Sequence, residues 1–297
     1  MCNIKGILVI PDKLNDIYAF DSIISLEKEI YAKSIHTLDI SSVSFIEPYS
    51  MTNLLLIARR YLKNTGNRLK LTQIPLPIHQ YLTRMNFFKY PIFDEPEPLD
   101  SKKMLTRSAL SKRILEITEI PNLERESVRV ISQAVSLFRR RGAYILKHWF
   151  CPDTVNYFVT VISEVCQNVF EHSMDSGFLA LQTYTYNREN VVRLVIADSG
   201  IGIEESFSAE QKKTYGTGSA LIKNALTAPI SGKREFGYGL CRVNSIIKEM
   251  KGNLFIRSDR SSVAFVYNKG YSDNAYSFLK DDLEPFSGTQ ISISLYG

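Results

Sequence analysis

Nothing in the 297 residues approaches the ~18 consecutive apolar positions that a membrane-spanning helix requires. GILVI near the start and LLLIA from Leu54 to Ala58 are representative of the longest apolar stretches. A signal peptide is not indicated either, because Pro11 and Asp12 cut the first apolar run short. Cysteine is scarce and scattered. Cys2, Cys151, Cys166 and Cys241 form no C-x-x-C pair and have no His at ligand spacing, so they suggest neither a zinc site nor a disulfide framework, and a reducing cytoplasm fits best. With 15 glycines, 11 prolines, 44% apolar and 23% charged residues, the composition excludes collagen, low complexity and wholesale disorder. Charge is not strongly one-sided: 36 basic residues against 31 acidic give +5, too weak an excess to argue for nucleic acid. No internal repeat is visible. At ~100 to 200 residues per domain, the length predicts about two domains, each able to bury its own core.

The first ninety or so residues alternate strand-like and helix-like patterns, the mark of an α/β unit. KGILVI reads as a strand, Asn15 to Lys33 as a helix, and HTLDIS as a second strand followed by VSFIEP. A helix from about Tyr49 carries Leu54, Leu55, Ile57, Ala58, Tyr61 and Leu62 and stops at Gly66. RLKLTQIP adds a strand and LPIHQYLTRMNFFKY a helix. PIFDEPEPLDSKK then concentrates Pro and acid without periodicity, which sets the boundaries: a domain over 1–95, a linker over 96–108, and a second domain over 109–297.

In the second domain ILEITEI reads as a strand. A helix from about Glu124 runs through Arg139, Arg140 and Arg141 to Gly142, where the cations suit a last turn before a glycine cap. With Pro152 and Asp153 as its cap, a long helix extends to about Ser173, with Val155, Phe158, Val159, Ile162, Val165, Cys166 and Val169 on one apolar face. Phe178 to Tyr186 and Val191 to Ala197 form a hairpin around NREN, GNLFIRSDRSSVAFVYN forms another, and TQISISLYG is a last strand. Between the hairpins lie the polar, glycine-bearing segment Glu204 to Phe236 and a helix from Leu240 to Lys251.

Three motifs here carry chemistry. On the long helix Glu164, Asn168 and His172 recur every fourth residue and form one polar stripe. An Asn carbonyl oxygen beside a carboxylate suits a hard cation such as Mg²⁺, although a solvated helix face explains the stripe equally simply. In VIADSGIGI an apolar strand ends at Asp198 and turns through Gly200 and Gly202. An Asp so placed accepts a hydrogen bond from an exocyclic amine, and the glycines admit a flat ligand; alone, the pattern is also an ordinary turn. In EFGYGLCRVNSII, Gly237 and Gly239 lead into a helix, whose free amides make an anion site, or the pattern is a glycine-rich helix start and no more. SGKRE fails as a Walker A loop, and neither glycine pair extends to G-x-G-x-x-G.

Together and in this order, the motifs resemble the GHKL superfamily of ATP-binding domains (the Bergerat fold), closest in type to the anti-sigma-factor serine kinases, over about Ile114 to Gly297. The resemblance implies an α/β sandwich, with a mixed, largely antiparallel sheet covered by helices. It implies ATP and Mg²⁺ as cofactors, Asn168 as metal ligand and Glu164 as general base or water-orienting residue. Asp198 becomes the adenine-reading carboxylate, with Gly200 and Gly202 beside it, while Gly237, Gly239 and Leu240 cradle phosphate. Gly288 and Thr289 look like the family's terminal Gly-Thr, Glu204 to Phe236 like the flexible ATP lid, and Lys233 or Arg234 like residues reaching the terminal phosphate. None of the four histidines has the context of a phosphoacceptor, and no paired long helices precede the ATP domain, so a histidine kinase is not indicated.

The string from His36 to Phe88 is similar to STAS domains of the anti-sigma-factor-antagonist type. Where that family carries a phosphorylatable Ser after an Asp, this chain has Glu47, Pro48 and Tyr49, with Ser50 in place of a Gly. The resemblances imply a cytoplasmic regulatory protein that works on a protein partner, a target or phosphoacceptor, with a second copy of the chain as another candidate. It would be an ATPase or a serine/threonine kinase, or alternatively a non-catalytic ATP sensor. Neither membrane nor nucleic acid is expected as a partner.

Overall fold

Short β-branched runs separated by helical repeats build a parallel sheet at the start of the chain. The computed structural model describes residues 6–14, 17–94, 111–120, 128–170, 175–186, 188–232, 239–267 and 276–296. These fall into two compact units, Met1–Leu110 and Ser111–Gly297.

In the first unit, strands β1 (Ile7–Val9), β3 (Thr37–Asp39) and β5 (Lys70–Thr72) pair in parallel in the order β1-β3-β5. Two-residue strands β2 (Lys13–Leu14) and β4 (Phe45–Ile46) make a second parallel pair, too short to show in the periodicity. The connecting helices are α1 (Ile17–Ala32), α2 (Pro48–Thr65) and α3 (Leu76–Arg84). Helix α2 begins with Pro48 at its first turn, where a missing N–H costs nothing, and stops where the Gly66 N–H bonds back to Leu62 O. It buries Met51, Leu54, Leu55, Leu56, Ile57 and Ala58. Its outer side is tied to α1 by the Arg60 fork on both oxygens of Glu27, at 2.8 and 2.7 Å. The helix expected through NFFKY breaks after Arg84. Asn86 takes a left-handed conformation (φ 62°), and a 3-10 turn over Phe87–Lys89 drops Phe87 into the core beside Phe93, with ring centroids 5.3 Å apart.

The second unit is a seven-stranded sheet under helices. Its strands are β6 (Ile114–Ile120), β7 (Gly177–Tyr186), β8 (Glu189–Asp198), β9 (Asn253–Ser258), β10 (Ser261–Val266), β11 (Tyr276–Lys280) and β12 (Thr289–Tyr296). They are ordered β11-β10-β9-β12-β8-β7-β6, with every described ladder antiparallel. The helices are α4 (Val128–Leu146), α5 (Pro152–Asn168), α6 (Gly202–Glu205), α7 (Ala209–Tyr215), α8 (Gly218–Thr227) and α9 (Gly239–Glu249). Alternate strand residues such as Leu179 and Leu181, Leu194 and Ile196, and Ile291 and Ile293 face one way. They share a core with Phe138, Phe158, Ile162, Val165, Leu221 and Val243 from the helices.

Four expectations need correction. Gly142 does not end α4, which continues to Leu146; a side chain there would meet Ile162 Cδ1 at 2.7 Å, so the glycine serves close packing against α5. Arg139 to Arg141 therefore lie inside the helix, and Arg141 pairs with Glu116 at 3.7 Å rather than with a helix end. The N-cap of α5 is Cys151, with Pro152 at the first turn; the helix is regular to Asn168 and continues as a wider turn through Val169 and Phe170, and residues 171–174, His172 among them, lie outside the described residues. The segment expected as the lid is largely helical over its described residues. Ser208 and Gln211 form a capping box on α7, and α8 buries Leu221, Ile222, Ala225 and Leu226, apolar positions thinly spread in a polar stretch. Strand β11 went unrecognised because it is an edge strand, with Phe278 53% and Leu279 40% exposed.

That edge is fastened to α8. Asp281, just after β11, accepts bonds from Ser219 N (2.8 Å), Ser219 Oγ (2.6 Å) and Ser261 Oγ (2.7 Å), while Glu204 accepts the Gly218 N–H at 2.7 Å. Burial by itself raises the Asp281 carboxyl, but hydrogen bonds from Ser219 and Ser261 outweigh it and hold the group below its ordinary value. A depressed folded-state value means stability that is present above the unfolded value and lost as pH falls through the folded one. Asp281→Asn is expected to lower Tm by about 2–4 °C at pH 7. The difference should close on acidification below about pH 4, as followed by thermal melts across pH.

Candidate functional site

The last turn of β8 delivers Asp198, 3% exposed, to the floor of a cleft. Its Oδ1 accepts the Gly200 N–H at 2.9 Å, so the carboxylate shapes the turn that follows it. Two glycines make the surroundings possible. Gly288 has φ 93°, and a Cβ there would collide with the Asp198 carbonyl; Gly202 has φ 79°, and a Cβ there would stand 2.7 Å from Ser258 Oγ. Ser258, itself buried, accepts the Ile203 N–H at 2.8 Å and donates to Gly288 O at 3.2 Å, joining both turns. Gln290 adds a long bond, 3.4 Å, from its Nε2 to Asp198 O.

The cleft has about 720 Å³ of empty space, its open mouth included. Ile196, Ile203, Phe207, Ile230 and Ile291 line it with apolar surface, and Asn168, Asp198, Ser206, Ser231 and Thr289 supply polar groups. At one end α9 begins with Gly239 and Leu240, both in the lining. Side chains of α5 flank that start: Glu164 Oε2 and Asn168 Oδ1 each lie 3.4 Å from where a Cβ on Gly239 would be. Asn168 Nδ2 is buried without a hydrogen-bond partner among the described residues. Turning the amide over exchanges its two terminal atoms and presents an acceptor oxygen at the same place. Glu164 Oε1 meets Arg242 Nη1 at 3.3 Å.

The fold thus gathers Asn168, Asp198, Gly202, Gly239, Leu240 and Thr289 around one cavity. Gly200 stands behind Asp198, and Glu164 stands beside Gly239 but outside the cavity lining. Lys233, Arg234 and Gly237 lie outside the described residues. Ser258 and Arg242 were missed by sequence reasoning: Ser258 belongs to none of the three motifs, Arg242 sits in the third without an assigned role, and each meets its partner across a long sequence separation. Chemically, the cavity offers an apolar slot with a carboxylate at its base, a helix start for an anion and an amide for a cation. No group of three or more His, Cys, Asp or Glu side chains able to hold a metal occurs among the described residues.

Residues 154–294 match the family of histidine kinase-, DNA gyrase B- and HSP90-like ATPases, which supports a GHKL ATP-binding domain over that span. No curated protein matches the chain.

Ser258→Ala removes both bonds that join the glycine turns. It is expected to cost about 1–3 kcal/mol, read as a lower midpoint in urea denaturation.

Proposed function

We propose that the chain is a Mg²⁺-dependent ATP-binding regulatory protein whose GHKL domain hydrolyses ATP or passes its terminal phosphoryl group to a protein Ser or Thr hydroxyl, under the control of a STAS-like N-terminal unit. The observation that carries this reading is the convergence of Asp198, Asn168 and the start of α9 on one apolar cleft, within residues matched to an ATPase family.

In this reading Asp198 accepts the exocyclic amine of adenine, a charge-assisted bond contributing roughly 1.5–3 kcal/mol. Thr289 and the Gly202 turn border the same end of the slot. The α9 amides at Gly239 and Leu240 receive phosphate oxygens, and Asn168 holds the cation through its amide oxygen. Mg²⁺, when bound, neutralises phosphate charge. Glu164 orients a water or a protein hydroxyl and takes its proton, so positioning supplies much of the catalysis. That Glu164 stands outside the cavity lining favours a second reading, a non-catalytic sensor whose ATP-bound state assembles a partner complex.

The strand-helix alternation and parallel pairing of the first unit support the STAS-like assignment. Its usual phosphoswitch does not follow. Pro48 opens α2, and Ser50 is 1% exposed with its hydroxyl donating to Leu14 O at 2.9 Å. Control would then pass through binding, to a protein partner or to a second copy of the chain. A cytoplasmic location is part of the proposal; among the described residues, no helix is long and apolar enough to cross a membrane.

Labelled ATP incubated with the full chain separates the outcomes: free phosphate marks an ATPase, labelled protein a kinase, and tight binding with neither a sensor. Mg·ATP is expected to raise Tm, since it binds the folded state alone. Asp198→Asn should weaken ATP binding about 10- to 100-fold in titration calorimetry, and an unaltered isotherm would remove the adenine assignment. Glu164→Ala should keep ATP affinity and lose turnover.

A further inference from the structure

The polar stripe of α5 meets α9 through the two oxygens of one carboxylate. Glu164 Oε2 is turned toward Gly239, 3.4 Å from its virtual Cβ, on the side where Asn168 also lies. Oε1 meets Arg242 Nη1 at 3.3 Å. Arg242 follows Gly239 by three residues, so both project from nearly the same side of α9. Glu164 is its one polar partner among the described residues. The Arg242 side chain is 58% exposed and that of Glu164 25%, so their pairing contributes little to folding. Its consequence is geometric: Arg242 engages one oxygen of the carboxylate, and the other lies beside the start of α9.

We propose that Arg242 is a positioning residue that holds Glu164 with Oε2 directed at the phosphate end of the cleft. This rests on the reading in which Glu164 handles the proton in ATP turnover. A guanidinium suits the task because it stays charged and its Nη1 reaches Glu164 Oε1 at 3.3 Å, whereas a lysine ammonium is a point charge on a more freely moving stem. Loss of orientation without loss of binding is a defect in the chemical step.

The test uses the full chain with Arg242→Ala, Arg242→Lys, Glu164→Ala and the double variant. Arg242→Ala is expected to lower kcat about 10-fold or more, with KM and the calorimetric Kd for ATP and for ADP each within about twofold of wild type, and Tm within about 2 °C. Arg242→Lys should recover part of the loss. In the Glu164→Ala background, Arg242→Ala should have no further effect on residual turnover, because the residue it orients is gone. An unchanged kcat overturns the proposal. So does an equal loss of turnover without Glu164, or a tenfold loss of ATP affinity with ADP affinity spared, which would put Arg242 on the terminal phosphate itself. Wild-type protein that binds ATP but never turns it over also overturns it, while leaving ATP binding intact. Wild-type protein that does not bind ATP sinks the underlying reading, and the proposal with it.

Discussion

The backbone carbonyl of Asp198 occupies the space that any side chain on Gly288 would need. This contact of main chain on main chain brings the turn before β12 against the end of β8. Strands β9, β12 and β8 are neighbours, and their register places Thr289 opposite Ser258 on one side and Gln290 opposite Ala197 on the other. Ser258 then bonds across to Ile203 and Gly288, and Gln290 bonds to the Asp198 carbonyl. A carboxylate, a hydroxyl and two glycine turns are therefore brought together by strand pairing, which tolerates no slip: a shift of one residue would turn Asp198 and Thr289 to the other face of the sheet.

At the opposite end of the cleft, packing decides where polar groups stand. Helix α5 is held by Phe158, Val161, Ile162 and Val165, all fully buried, each contributing roughly 1.5–3 kcal/mol. Leaving the Asn168 Nδ2 without a partner costs about 1–3 kcal/mol. The apolar face outweighs the orphaned amide several times over, so the helix stays seated and Asn168 is kept facing the cavity with unmet bonding capacity. Groups left in that condition are disposed to take a ligand. Glu164, one turn earlier and nearer solvent, finds Arg242 instead.

The N-terminal unit follows the same logic with a different result. Helix α2 turns its first residues inward: Tyr49, Ser50, Met51, Thr52 and Asn53 are all buried. Ser50 and Thr52 satisfy their hydroxyls on nearby carbonyls, Leu14 for the first and Pro48 and Tyr49 for the second. The Ser50 hydroxyl at this helix start is thus occupied by packing and by its bond to Leu14.

Much of this was legible in the sequence. Alternation located β7, β8, β9, β10 and β12, and the three- and four-residue spacing of apolar positions from Val155 to Val169 located α5 and its core face. Glu164 and Asn168 were identified as neighbours because helical geometry puts them there, and Asp198 as the end of a strand because apolar residues run up to it. Where periodicity weakens, legibility stops: β11 is exposed on an edge, α8 hides four core residues in a polar stretch, and α4 runs through a glycine whose use is contact with α5. Local spacing determined which residues share a face and which elements form, because those preferences act over a few residues at a time. Only the tertiary structure decided that Ser258 would join two distant turns and that Arg242 would meet Glu164, 78 residues away. Such pairings depend on sheet register and on how closely two helices approach, and no short window of sequence contains either.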